Sequence, residues 1–305
     1  MLGSGGEPEV PVDRSPRPPS GDGPTAARVQ VGAHLRKLRE ERGLTRAQAA
    51  APIRASESKI SRIELGRVGF KERDLLDLLT LYGVTDQAER AALAGRVRES
   101  RAPAWWHPYA DVAPPWFHRY LGLEPTAALI RTFEVQFVPG LLQTEDYARA
   151  VVRLGHPDAK PAEVEKRVRL RLERQQVLNR PDPPRLWAVV DEAALRRAVG
   201  GPAVMRDQLE ALIAAVTKMR NVRLQVLQLA SGGHAANGGS FTILRFPHHD
   251  MPDVVYSEQL TSALYLERPD DVDSYFDAVS QLFIDAAPLT ETVPILDRLI
   301  EELPG

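Results

Sequence analysis

The chain contains no cysteine. That excludes disulfides, thiolate metal sites and a cysteine nucleophile. It has no apolar run near the ~18 residues that a membrane-spanning helix needs. Its first residues lack the charged start and apolar middle of a secretory signal. These absences point to a protein of the reducing cytoplasm. Catalytic signatures are also missing: no GxSxG elbow, no HExxH pair, no Walker phosphate loop and no dinucleotide GxGxxG. The chain therefore reads as a non-enzyme without a catalytic residue, cofactor or metal site.

What is present is charge, unevenly placed. The 305 residues are 43% hydrophobic and 26% charged, enough for two domains with real cores. The formal net charge of −2 conceals two opposite halves. From Arg28 to Arg73 there are about 12 Lys/Arg against about 5 Asp/Glu, whereas from Asp250 onward about 13 acidic residues face about 2 basic ones. The front attracts phosphate and the back repels it.

Within the cationic front, residues 45–66 read TRAQAAAPIRASESKISRIELG. Thr45 can cap a short helix, with Gln48 three residues on as the reciprocal partner of a capping box. Ala47, Ala49, Ala50 and Ala51 let that helix approach a neighbour closely. Ser56 can cap a second helix, in which Ile60 and Ile63 face inward while Glu57, Ser58, Lys59 and Arg62 point out. Gly66 ends it. Two such helices joined by a tight turn describe a helix-turn-helix that reads a DNA major groove.

Around this pair the spacing predicts helices over about 29–42, 71–82 and 86–100, completing an all-α bundle of five helices. Residues 1–27, rich in Pro, Gly and Ser, read as a disordered tail. Its Arg14 and Arg17, with Arg28 just beyond, could act as a DNA-touching arm or simply be solvated. The segment 28–101 resembles the XRE class of lambda-repressor-like DNA-binding domains (Cro and cI repressors). That resemblance implies an ion pair between Arg39 and Glu64, a phosphate contact for Arg46, and base-edge positions for Glu57, Ser58 and Arg62. It places Lys59 and Arg67 on the DNA backbone, with Ser56 at the helix start completing the set. Arg62 is the residue best suited to guanine, because a guanidinium can pair with both of its acceptors. Glu57 could accept from a cytosine amino group, or could serve only the helix dipole. Two departures stand out. Arg54 occupies the turn position where the family favours glycine, and Pro52 should end the first helix of the pair at about Ala51.

Across residues 102–124, prolines at 103, 108, 114 and 115, with Pro125 just beyond, break any long helix among Trp105, Trp106, Tyr109, Trp116, Phe117 and Tyr120. This reads as a hinge packed onto the following domain. Residues 125–305 read as an α+β domain with a roughly five-stranded sheet, the strands lying at about 185–192, 222–228, 241–246, 254–258 and 263–267. Residues 127–137 read as a helix. Arg167, Arg171 and Arg174 form one stripe of a helix over 162–178, readable as a solvated face or as a nucleic-acid contact. Asp191 and Glu192 read as a helix cap rather than a catalytic pair. The Gly-rich 231–240 reads as a mobile loop between strands, and His248, His249 and Asp250 as a turn rather than a metal site.

The runs DYARAVV, RLRLERQ, VVDEAALRRAVGG and MRDQLEALI resemble the large C-terminal domain of WhiJ-like actinobacterial regulators. The resemblance implies an antitoxin-like regulator whose second domain senses a ligand or a small basic partner protein encoded nearby. Together these readings give a sequence-specific transcriptional regulator that binds double-stranded DNA as a homodimer, without a membrane partner. The alternative is an interaction protein that holds a small partner and regulates only its own promoter.

Overall fold

A computed structural model of the protein describes residues 23–247 and 251–304. Residues 1–22 of the tail expected over 1–27, with Arg14 and Arg17, lie outside the described residues, as do His248, His249 and Asp250. Among the described residues, no helix is long and apolar enough to cross a membrane.

The front of the chain is five helices: α1 (Pro24–Glu41), α2 (Arg46–Ala50), α3 (Glu57–Glu64), α4 (Glu72–Leu81) and α5 (Gln87–Glu99). Their starts follow the capping chemistry read in the sequence. Thr45 Oγ1 accepts from the Gln48 backbone N–H and Gln48 Oε1 accepts from the Thr45 N–H, at 3.2 and 2.8 Å. Ser56 caps α3 and Asp86 caps α5. α2 stops after Ala50, where Pro52 forbids continuation, and Arg54 takes the left-handed conformation at φ 49. Val31, Leu35, Ala49, Ile60, Ile63, Leu75, Leu78 and Tyr82 fill the bundle core.

α1 begins at Pro24, earlier than the composition of the tail suggests. Proline suits the first helical position. The added turn is held by tertiary burial: Thr25, Ala26 and Ala27 are all buried, and Ala26 and Val29 belong to the core of the second domain. Arg28, a candidate DNA-touching arm residue, is instead half-buried there, and Nη2 donates to Thr25 Oγ1 at 3.2 Å.

The hinge folds against the second domain. Trp105, Tyr109, Val112, Ala113 and Leu121 pack on Leu170, and Trp105 Nε1 donates to the Leu121 carbonyl at 2.9 Å. It ends in α6 (Phe117–Leu123). The second domain then runs β1 (Leu129–Glu134), α7 (Glu145–Gly155), α8 (Pro161–Gln175), β2 (Arg185–Asp191), α9 (Glu192–Arg196), α10 (Pro202–Lys218), β3 (Val222–Leu227), β4 (Phe241–Arg245), β5 (Val254–Glu258), β6 (Ala263–Leu266), α11 (Pro269–Asp285) and α12 (Thr292–Glu301).

The sheet has six strands rather than five, in the order β3-β2-β1-β4-β5-β6. The extra one is β1, where a helix was expected over 127–137. Its Ile130, Thr132 and Phe133 suit a pleated surface, and the strand is sandwiched between parallel β2 and antiparallel β4. One sheet face, lined by Ile130, Leu186, Leu224, Leu244 and Tyr256, is covered by α6, α7, α10 and α12. The other, lined by Phe133, Val189, Phe241, Ile243 and Val255, is covered by α11.

The bundle docks on the side of the first face, through α1, whose Ala26 and Val29 join the core there. Beneath it, Tyr120 of α6 packs on Tyr256 at 4.4 Å between ring centroids, and its N–H donates to the Tyr265 hydroxyl. Gly122 is pressed against α1 so closely that a Cβ there would meet Thr25 Oγ1 at 2.1 Å.

Candidate nucleic-acid interface

Two glycines set the pose of α3. A Cβ on Gly32 of α1 would lie 2.4 Å from the Ile63 carbonyl oxygen, and one on Gly66 would lie 2.7 Å from Val29. Gly66 also has φ +61, a conformation that side-chain-bearing residues rarely adopt. Backbone therefore meets backbone at the end of α3, and the helix angle against α1 is fixed.

The expected ion pair is present and is larger than a pair. Arg39 donates from Nε to Glu64 Oε1 at 2.5 Å and from Nη2 to Oε2 at 3.0 Å. It also donates to the Leu44 carbonyl at 2.9 Å, tying the α1–α2 turn to the end of α3. Both residues are buried. Glu64 holds the Arg39 pKa above its ordinary value, with burial opposing. Arg46 Nε joins this network, reaching Glu64 Oε2 at 3.3 Å, while about half of its side chain stays exposed. The fork is thus anchored at one edge and open at the other.

The outward face of α3 is placed as its pattern predicts. Ile60 and Ile63 are buried, whereas Ser56, Glu57, Ser58 and Arg62 are exposed. Ser56 Oγ is committed to the cap, accepting from the Lys59 N–H at 3.2 Å. Lys59 is half-buried and its ammonium reaches Asp74 Oδ2 at 3.4 Å. Arg62 and Arg67 are exposed, and among the described residues their side chains carry no hydrogen bond or ion pair; their backbones are joined by the Arg67 N–H donating to the Arg62 carbonyl. Arg62, Arg67 and the open edge of Arg46 therefore form a free cationic surface around a helix whose apolar side is fully used. Guanidinium groups held this way suit phosphate oxygens and guanine edges.

The arginine stripe of α8 turns out to face inward. Arg174 donates to both Glu124 oxygens at 2.9 Å and lies over Phe117 and Tyr120. Burial works against its charge, but Glu124 more than offsets this and its pKa is raised. Arg171 donates to Gln143 Oε1 at 2.6 Å; burial lowers its pKa to about 10. Arg167 bonds Glu163 and the Val112 carbonyl. Neither a solvated face nor a nucleic-acid contact describes this stripe. At the end of β1 beside it, Glu134 is pushed up to about 7, chiefly by burial, with Ser240 opposing and Glu258 adding repulsion.

Other expectations resolve locally. Asp191 caps α9, accepting from the Ala193 N–H at 2.7 Å, and Glu192 accepts from the Leu229 N–H. The 231–240 loop joins β3 to β4 but is partly packed: Ala236 is buried and His234 meets Phe133 edge-on at 5.1 Å. Among the described residues no cluster of His, Cys, Asp or Glu could hold a metal ion.

The bundle, with its capped second helix presenting a cationic outer face, is a helix-turn-helix head joined to an α+β domain. Residues 30–93 match the family described as helix-turn-helix domain, the class of fold that binds DNA. Residues 117–298, more than half the chain, match the domain of unknown function DUF5753, and the protein belongs to that family. No curated protein and no solved structure matches it.

Proposed function

We propose that the protein is a sequence-specific transcriptional regulator of the cytoplasm, without catalysis of its own. α3 enters the major groove, Arg62 reads a guanine, Glu57 and Ser58 face neighbouring base edges, and Arg46, Lys59 and Arg67 hold phosphates. The observation that carries this reading is the exposed, unpartnered Arg62 on the outer face of a helix whose inner face is locked by Gly32 and the Arg39–Glu64 pair. Two copies bind half-sites about 34–36 Å apart, one turn of the duplex. Exposed Leu260 and Leu264, on the β5–β6 hairpin at the sheet edge, support that edge as the pairing surface.

The WhiJ-like resemblance, with the acidic composition after Asp250, supports a sensing role for the second domain and, as the other reading, an antitoxin-like protein that holds a small basic partner. Selection of bound duplexes from a random pool tests the first reading. A recovered inverted repeat supports it. Recovery of no motif, or retention of the same motif by an Arg62→Ala chain, refutes it.

A further inference from the structure

The sheet face under α11 ends in four arginines that the DNA reading leaves unused. Strand register places them together. Arg185 and Arg245 both flank Leu129, and two residues further along the strands Arg223, Trp187 and Arg131 stand side by side. All four point to the α11 side of the sheet and span three strand spacings, about 14 Å.

The protein does little to neutralise them. Among the described residues Arg245 pairs with Asp253 at 2.9 Å, while exposed Arg185 and Arg223 have no ion pair. Arg131 is half-buried, and its Nε is buried without a hydrogen-bond partner. Burial lowers the Arg131 pKa, and the neighbouring Arg245 and Arg185 lower it further, with Asp253 opposing. On the other face of the sheet Arg174 is matched by Glu124 and Arg119 by Glu267. An uncompensated cationic group in an otherwise acidic rear half is unusual chemistry for a merely structural face.

Aromatic rings fix the guanidiniums. Arg223 lies 5.3 Å over Trp187, Arg131 lies 5.3 Å over Phe276, and Arg245 lies 4.5 Å over the same ring. Such stacking pre-orders a planar fork before a ligand arrives. Trp187 is already stacked on Phe283 at 4.2 Å and covered by Arg223 on its ring, so no face of it is left for a nucleobase. Recognition here is by charge. The head docks on the opposite side of the sheet, where Ala26 and Val29 of α1 join the core of the first face, so the sheet stands between that docking site and the arginines. This separates the patch from a duplex contact.

We propose that this face binds a compact polyphosphate anion, inorganic or nucleoside-linked, through Arg131, Arg185, Arg223 and Arg245. The site supplies a ligand class for the sensing role of the second domain, but the binding itself does not depend on the DNA reading.

Titration calorimetry of the full chain with sodium tripolyphosphate in magnesium-free, low-salt buffer tests it. Expected is saturable binding that weakens about tenfold or more in Arg185→Gln/Arg223→Gln and stays within about twofold in Arg62→Ala. ATP should bind within about fivefold of tripolyphosphate, since the base has no ring to meet. Duplex affinity of the double variant should be unchanged. Absence of binding, unaltered binding by the double variant, or loss of binding in Arg62→Ala would each overturn the proposal. So would a fall in duplex affinity of the double variant, which would make this face a DNA contact. A failed titration leaves the duplex selection with Arg62 untouched, so the two ideas fail separately.

Discussion

The Gly32 Cα of α1 faces the Ile63 carbonyl of α3 with no room for a methyl group: a Cβ would stand 2.4 Å from the oxygen and 2.8 Å from the Glu64 carbonyl. Two opposing effects meet at this position. Alanine inside a helix is favoured over glycine by about 0.5–1 kcal/mol. Overpacking against backbone costs about 1–3 kcal/mol, because backbone cannot rotate away as a side chain can. The clash wins. Gly32→Ala should lower stability by about 1–2 kcal/mol in urea unfolding. Duplex affinity should fall as well, since α3 must tilt to make room. A variant that is more stable than the parent would show that α1 and α3 slide freely.

Arg39 and Glu64 give the second prediction. A buried pair that loses one member leaves an uncompensated charge, worth about 3–5 kcal/mol. Glu64→Gln should therefore destabilise the head strongly and release Arg46 from its 3.3 Å contact. The double change Arg39→Met with Glu64→Leu should recover much of the loss, because neither charge is then stranded. Equal destabilisation by the single and double changes, measured in one chemical-denaturation series, would assign the cost to packing instead.

Base readout and phosphate contact separate by how they respond to sequence. Arg62→Ala should cost about 1–3 kcal/mol of duplex binding and relax one base position. Arg46→Ala should weaken all duplexes alike and reduce the salt slope by about one. Competition binding against a panel of single-base variants, at two salt concentrations, reads both effects. Identical profiles for the two variants would contradict the assigned roles.

Glu134 predicts a pH dependence. Its carboxyl is raised to about 7 in the folded chain, so between the ordinary carboxyl range and that value the folded state binds the extra proton. Stability from this group is therefore present at low pH and lost as pH rises through about 7. Glu134→Gln, which mimics the protonated form, should remove up to about 2–3 kcal/mol of this decline between pH 5 and 8. Thermal unfolding of both chains across that range measures it. Parallel pH curves would mean that the carboxyl titrates normally.

The head was legible because its determinants are local. Caps at Thr45, Ser56 and Asp86, the stop at Pro52 and the inward Ile60–Ile63 spacing all act within one or two turns. β1 was not legible: its short apolar run fits helix or strand by periodicity, and its parallel partner β2 lies some fifty residues away. The α8 arginines misled for the same reason. Their partners Glu124 and Gln143 lie far off in sequence, so a buried network looked like a solvated stripe. The Arg131, Arg185, Arg223 and Arg245 patch left no trace either, since each strand contributes one residue and only sheet order unites them. The outward position of Arg62 was readable from helical spacing, whereas Arg67, past the helix end at Gly66, came only from the family resemblance. The capture of Arg46 by Glu64 was not, because it depends on how α2 leans on α3.

Among the contacts between head and second domain, one close approach can be tested by a single substitution. Gly122 of α6 sits against Thr25, with a would-be Cβ 2.1 Å from Oγ1 and 2.4 Å from the Thr25 Cβ. Thr25 is buried and receives the Arg28 guanidinium, so its side chain has little freedom to turn away. Arg119 adds a long 3.5 Å bond to the Leu65 carbonyl at the end of α3, and is itself held by Glu267. Gly122→Ala should therefore pry α1 off α6, withdrawing Ala26 and Val29 from the second-domain core, while the bundle core and the sheet core under α11 lie apart from this contact. Calorimetry should resolve one unfolding transition in the parent and two in the variant. Duplex affinity of a single head should persist, but any influence of a ligand in the second domain on DNA binding should disappear, because influence between sites requires a shared, jointly biased contact. A single cooperative transition in Gly122→Ala would place the coupling elsewhere, with the Arg119–Glu267 pair the next connection to cut.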